Sequence, residues 1–195
     1  MQPFFWIFKD SAILTCDIDA IVVMGVSGCG KSSVGEACAK ALGWVLHEGD
    51  AHHAPESIAK MRAGVPLTDA DRAGWLDRLA ALLAAPAGTA GVVLTCSALR
   101  RKYRDRLRAG NPRVGFVFLA LDYEQALQRV QTRAGHFFSP ALVADQFATL
   151  ESPEGEPRVL TLDATRPVDE LARSVVQWLR GNAAASLSSS SGDSA

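Results

Sequence analysis

The stretch Gly25-Val26-Ser27-Gly28-Cys29-Gly30-Lys31-Ser32 fits the pattern G-x-x-x-x-G-K-[ST] in full, and no other feature constrains this chain as strongly. It follows the apolar run Ala20–Val26 and opens a helical pattern over Lys31–Leu42, the strand–loop–helix setting in which the pattern carries meaning. Glycines let successive backbone N–H groups converge on phosphate oxygens, where a Cβ would obstruct them. Gly25, Val26, Ser27, Gly28, Cys29, Gly30, Lys31, Ser32 and Ser33 are therefore candidate contacts to a nucleoside triphosphate. Lys31 reaches the β- and γ-phosphates as a point charge, and the Ser32 hydroxyl is placed to ligate Mg²⁺. The N-terminal dipole of the helix adds to anion binding. A chain of this composition should hold about 0.004 such motifs by chance. The loop does not say what receives the phosphoryl group: water, a small molecule, or nothing at all in a nucleotide-dependent switch.

Around this loop, five apolar, β-branched stretches alternate with helical patterns. The strands read as Ala20–Val26, Val45–Glu48, Gly91–Cys96, Val114–Leu119 and Arg158–Leu162. Helices are predicted over Lys31–Leu42, Pro55–Ala63, Asp69–Ala85, Arg100–Ala109, Tyr123–Ala134, Ala141–Leu150 and Val168–Leu179. Thr68 with Asp71 forms a capping box ahead of the third helix, and Pro167 stands where a first-turn proline belongs. Such alternation predicts an α/β fold, with parallel strands, right-handed crossovers and helices on both faces. Ligands of such sheets sit at the carboxyl ends of the strands.

Composition narrows the class. The 195 residues carry 20 Lys+Arg against 21 Asp+Glu, a net charge of −1, with 48% hydrophobic residues. This suits one globular domain and argues against a polycation that coats nucleic acid. No apolar run reaches the length of about 18–20 residues that spans a membrane. Cys16, Cys29, Cys38 and Cys96 form no C-x-x-C pair, so neither a zinc knuckle nor a disulfide scaffold is expected, and a reduced, cytoplasmic setting fits better. Residues 1–19 contain Phe4-Phe5-Trp6-Ile7-Phe8 but lack a basic n-region and a small-x-small cleavage site. They are taken as an extension of unknown role, ahead of a domain over 20–181 and a Ser/Ala-rich tail over 182–195 expected to be disordered. The Cys29 side chain reads as a spacer within the loop; the alternative is that the helix N-terminus beside it lowers its pKa and makes nucleotide binding sensitive to oxidation.

Asp50 follows the second strand and should lie beside the phosphate loop, placed to orient an acceptor hydroxyl or take its proton. A cap or turn residue is the plain alternative. His47, His52 and His53 lack the i,i+4 spacing of a helical metal site. Arg100, Arg101, Lys102, Arg104, Arg106, Arg108 and Arg113 form a basic run opposed locally only by Asp105. A nucleic-acid patch is the sharp reading of such a run, but only Tyr103 offers a base-stacking ring within it.

The chain resembles the gluconokinases, small P-loop kinases related to shikimate kinase and the nucleoside monophosphate kinases. The matching residues are Gly49-Asp50 with His53, Lys60-Met61, and Gly64-x-Pro66-Leu67-Thr68-Asp69-x-Asp71-Arg72 with Trp75-Leu76. Further on come Cys96-Ser97-Ala98-Leu99 with Tyr103-Arg104-Asp105, then Gly135-His136-Phe137-Phe138, then Gln146-Phe147-x-Thr149-Leu150-Glu151-x-Pro153. Ala54 replaces a usual proline, and Ser57 and Thr68 stand where asparagine is common. The resemblance implies a single P-loop kinase domain with a five-stranded parallel sheet in order 2-3-1-4-5 and a mobile lid. It implies ATP and Mg²⁺ as cofactors, and phosphorylation of D-gluconate at its 6-hydroxyl to 6-phospho-D-gluconate. Shikimate, a nucleoside monophosphate or another sugar acid is the alternative acceptor, and relatives commonly form homodimers. Lys31, Asp50 and Arg133 are then the catalytic candidates, with Arg129 and Arg133 brought to the ATP phosphates by the lid. A solvated basic helix end is the plain alternative for that arginine pair. Candidates for the acceptor are Asp50, His53, Lys60, Arg72, Arg101, Arg104 and His136, since an anionic substrate needs at least one basic partner.

Overall fold

The computed structural model describes residues 18–84, 91–132 and 140–190. The elements run β1 (Ala20–Met24), α1 (Lys31–Leu42), β2 (Val45–Glu48), a 3₁₀ turn (Gly49–His52), α2 (Pro55–Arg62), α3 (Asp69–Ala84), β3 (Val92–Thr95) and α4 (Arg101–Gly110). They continue with β4 (Val114–Ala120), α5 (Tyr123–Thr132), α6 (Leu142–Thr149), β5 (Val159–Asp163) and α7 (Val168–Ser190). The five strands form one parallel sheet in order β2-β3-β1-β4-β5, as the resemblance implies.

The sequence of β1 explains its central place. All five residues, Ala20-Ile-Val-Val-Met24, are buried, because successive side chains face opposite sides of a sheet that is covered on both. Ile21 and Val23 pack with Val93, Val117 and Leu119 against side chains of α1 and α7, including Val34, Cys38, Leu171 and Val175. Ala20, Val22 and Met24 pack with Leu94 and Phe116 against Leu76, Leu79, Leu83 and Leu107 of α3 and α4. The Thr68–Asp71 capping box forms in both directions: the Thr68 amide donates to Asp71 at 2.9 Å, and the Asp71 amide to Thr68 Oγ1 at 3.2 Å.

Several boundaries differ from the sequence reading. Ile18 and Asp19, assigned to the extension, pack with the domain: Ile18 is buried, and Asp19 accepts from Asn111 at 2.8 Å. β1 ends at Met24, because the chain must turn at Gly25 to open the phosphate loop. α7 continues past Leu179 to Ser190, through Ala183–Ala185, whose residues favour helix. The rest of the extension, Arg133 and His136 lie outside the described residues.

The basic run in and around α4 is largely ion-paired. Arg100 and Lys102 both reach Asp69, Arg106 pairs with Asp77, and Arg113 with Asp19. Arg104 and Arg108 share Glu156, and Arg101 lies 3.9 Å from Asp105. Acidic partners, most of them distant in sequence, pair with the run, whose Arg101, Lys102, Arg106 and Arg113 stay exposed.

Candidate active site

The carboxyl ends of β1, β2 and β3 converge on the phosphate loop. Gly30 caps α1 in the left-handed region at φ 97° and, having no side chain, caps none of the first helical amides itself. Those donors are left for an anion. Gly28 packs so closely on α5 that a Cβ would stand 2.9 Å from the Ala126 carbonyl oxygen. Lys31 Nζ donates to the Val26 carbonyl at 3.0 Å, and the Ser27 amide donates to Gln146 Oε1 of α6 at 2.6 Å. Gly25 and Val26 form the base of the loop, where the Gly25 amide donates to Ser97 O at 3.3 Å and Val26 is buried.

A cavity of about 500 Å³ opens on the outer side of this loop. Ser27 through Ser33 form one wall, and Arg129 with Ala164, Arg166 and Pro167 form the other. Arg129 is half-buried and donates to the Ala164 carbonyl at 3.1 and 3.2 Å and to the Gly28 carbonyl at 3.3 Å. It thereby ties the phosphate loop to the β5–α7 connection. That connection carries no sequence motif; its position after a parallel strand, at the start of a helix, is the only signal that could have found it.

A second, narrower cleft lies on the inner side, lined by Asp50, His53, Arg72, Trp75, Ser97 and Gln146, with Ser27 and Lys31. Ser27, Lys31 and Asp50 line both spaces. Asp50 is held there by the 3₁₀ turn. Gly49 approaches β3 so closely that a Cβ would sit 2.1 Å from the Thr95 carbonyl oxygen. The Gly49 amide donates to Thr95 Oγ1, and its carbonyl accepts from Trp75 Nε1 at 2.8 Å. Trp75 in turn stacks on His53, with ring centroids 4.2 Å apart and planes at 14°.

Burial lowers the His53 pKa to about 4, opposed by Asp50 and reinforced by Arg72 and Arg78, so the imidazole is neutral. Among the described residues its Nδ1 is buried without a hydrogen-bond partner. Arg72 Nη1 donates to Leu67 O at 2.7 Å, and its guanidinium lies 5.6 Å from the centroid of the Tyr103 ring.

Among the described residues, the other acceptor candidates do not line this cleft. Lys60 is paired with Asp71 at 2.7 Å, and Arg101 is exposed on α4. Arg104 is completely buried, with its donors spent on Glu156 and on the carbonyls of Ala98 and Leu99. Arg104 is thus a structural residue rather than a free cation of the cleft. The Cys29 thiol is also corrected: it is buried, and loss of solvent raises its pKa despite the nearby Lys31. The helix dipole does not make it a thiolate.

Sequence reasoning assigned no role to three polar residues. Gln146 is one. The others are Glu48 and Thr95, polar residues that end apolar strands on the ligand side of the sheet. Ser32 Oγ donates to Glu48 Oε2 at 3.2 Å, and Thr95 Oγ1 donates to the same oxygen at 2.6 Å. These hard oxygen donors beside a phosphate loop suit Mg²⁺.

The family model described as shikimate kinase matches residues 27–158. A gluconokinase of Gluconobacter oxydans is 40% identical over 158 residues, spanning 80% of this chain and 89% of its own. The thermosensitive gluconokinase of Escherichia coli is 39% identical over 170 residues, covering 84% and 90%. The chain belongs to the gluconokinase family of P-loop kinases. A gluconokinase crystal structure from Sinorhizobium meliloti superposes with a TM-score of 0.79 at 45% identity, covering 88% of this chain and 97% of that one. The similarity thus extends over 89%, 90% and 97% of the length of these three relatives.

Proposed function

We propose that this protein transfers the γ-phosphoryl group of ATP to the 6-hydroxyl of D-gluconate, giving 6-phospho-D-gluconate and ADP. The reading rests above all on the wall shared by the two cavities, where Ser27, Lys31 and Asp50 face both a phosphate-loop side and a cleft. A donor phosphate on one side and an acceptor hydroxyl on the other would meet there. A nucleotide switch needs no such second space. The names of the relatives support gluconate as the acceptor.

Phosphoryl transfer asks the protein mainly for positioning and for positive charge around the transferring oxygens. Lys31 and the uncapped α1 amides supply charge to the donor. Ser32, backed by Glu48, would hold Mg²⁺, which neutralises phosphate charge when bound. Asp50 accepts a hydrogen bond from the attacking hydroxyl and keeps it directed at the donor. The neutral His53 lines the cleft as a candidate neighbour of the sugar-acid hydroxyls, and Arg72 is the candidate partner for the carboxylate. Arg133 and His136, in the lid that the family resemblance implies, complete the set of proposed ligands. The cytoplasm is the proposed setting.

An assay coupled to ADP release, run with gluconate, other sugar acids, shikimate and AMP, tests the reading. Gluconate-dependent release well above the rate in its absence supports it. Turnover with shikimate or AMP and none with gluconate overturns it.

A further inference from the structure

The Ser97-Ala98-Leu99 segment lies between the phosphate loop and the buried side chain of Arg104. On its front, Ser97 lines the inner cleft and its carbonyl accepts from the Gly25 amide at 3.3 Å. In its middle, Ala98 is buried with φ 45°, in the left-handed region that residues with a Cβ disfavour. At its back, Arg104 Nη1 donates to the Ala98 carbonyl at 2.9 Å and to the Leu99 carbonyl at 3.1 Å. The remaining donors of Arg104 grip Glu156, with Nη2 to Oε1 at 2.5 Å and Nε to Oε2 at 3.0 Å. Arg104 is 0% and Glu156 6% exposed at the side chain. Burial alone would raise the Glu156 pKa, but its bonds to Arg104 and Arg108 outweigh that and lower it, keeping the carboxylate charged. The Leu99 carbonyl also accepts from the Glu151 amide at 2.9 Å, so the α6–β5 connection closes the bracket.

A buried ion pair is a poor source of stability compared with apolar residues of the same size, because desolvation offsets the attraction. Its presence needs another account, and two of its hydrogen bonds go to the carbonyls of the strained residue and of the one after it. We infer that Arg104 and Glu156 are positioning residues for the phosphoryl acceptor: the pair holds Ala98 in its left-handed conformation and so fixes Ser97 against the acceptor and the base of the phosphate loop. The inference rests on the reading of the inner cleft as the acceptor site.

The test replaces the pair without leaving a lone buried charge, as Arg104→Met with Glu156→Leu, and adds Ala98→Gly as the rescue. Arg108 keeps Asp105 at 2.9 Å and the Phe116 ring at 4.6 Å in that background. The double variant is expected to melt cooperatively. Amide exchange at Gly25 and Glu151, read by mass spectrometry, should accelerate about tenfold as their acceptors on the segment are released. The KM for the acceptor should rise about tenfold, with a smaller change in KM for ATP. Ala98→Gly should recover most of both losses, because glycine adopts the left-handed region without strain. Unchanged exchange and acceptor KM in the folded double variant would overturn the inference, and so would failure of Ala98→Gly to recover them. A double variant that does not fold hands the same comparison to Arg104→Lys, with and without Ala98→Gly, since lysine keeps the charge but not the fork. The exchange measurement uses no acceptor. Accelerated exchange in a protein inactive on gluconate would therefore sink the gluconate reading alone.

Discussion

Trp75→Phe isolates the hydrogen bond that holds the turn carrying Asp50. Trp75 is 2% exposed, and its indole N–H is the donor to the Gly49 carbonyl at 2.8 Å. Gly49 cannot swing that carbonyl toward water, because its backbone is pressed against β3, where even a Cβ would be 2.1 Å from Thr95 O. Phenylalanine keeps a ring against His53 but leaves the acceptor buried and unpaired, a cost of about 1–3 kcal/mol. The atoms removed add about 1 kcal/mol of lost burial. A total of about 2–4 kcal/mol in a chain of this size lowers Tm by about 4–16 °C. Melting followed by circular dichroism gives the stability term. The ADP-release assay, run well below Tm, should also show a lower kcat, because Asp50 is the next residue along. A stability loss below about 0.5 kcal/mol, the range of neutral surface changes, would refute the claim that this bond fixes the turn.

Other perturbations read different parts of the site. Asp50→Asn should lower kcat by about 10²–10⁴ while ATP affinity, measured by titration calorimetry, is retained; an unchanged kcat rejects Asp50 as an acceptor-site group. His53 has a folded pKa of about 4, below its ordinary 6.5, so as pH falls through that interval the unfolded chain takes up a proton that the folded one does not. Stability should be steady above pH 6.5 and decline toward pH 4. His53→Gln should flatten the decline of Tm between about pH 7.5 and about pH 5. Gln146→Leu removes the acceptor of the Ser27 amide and should raise the KM for ATP about two- to twelvefold. Cys29 should resist iodoacetamide in the folded protein and react only on unfolding, because its buried thiol has a raised pKa.

The phosphate loop and the strand–helix alternation were legible because each is local. A glycine spacing or an apolar run of five residues means the same thing wherever the chain takes it. The place of Asp50 after the second strand pointed to it directly, and the resemblance then supplied the strand order and the cleft residues His53 and Arg72. What remained hidden depends on residues far apart in sequence. Nothing near Arg104 reveals that Glu156 will meet it, and the α4 run reads as a basic patch until Asp19, Asp69 and Asp77 fold onto it. Glu48 and Thr95 look like ordinary strand ends until the parallel register sets them side by side. The Gly49–His52 turn has no periodicity to read, and only the closeness of β3 shows why a glycine stands at its start. The lowered-pKa alternative for Cys29 fails for the same reason: the helix N-terminus is visible in the sequence, but the packing that buries the thiol is not.

Phosphorus NMR of the product formed from ATP and D-gluconate tests the central claim most directly. Transfer to the 6-hydroxyl predicts a new phosphate monoester resonance coupled to the two protons of a methylene group, growing as ADP appears. A signal of inorganic phosphate alone, or of an ester coupled to a single methine proton, would contradict it.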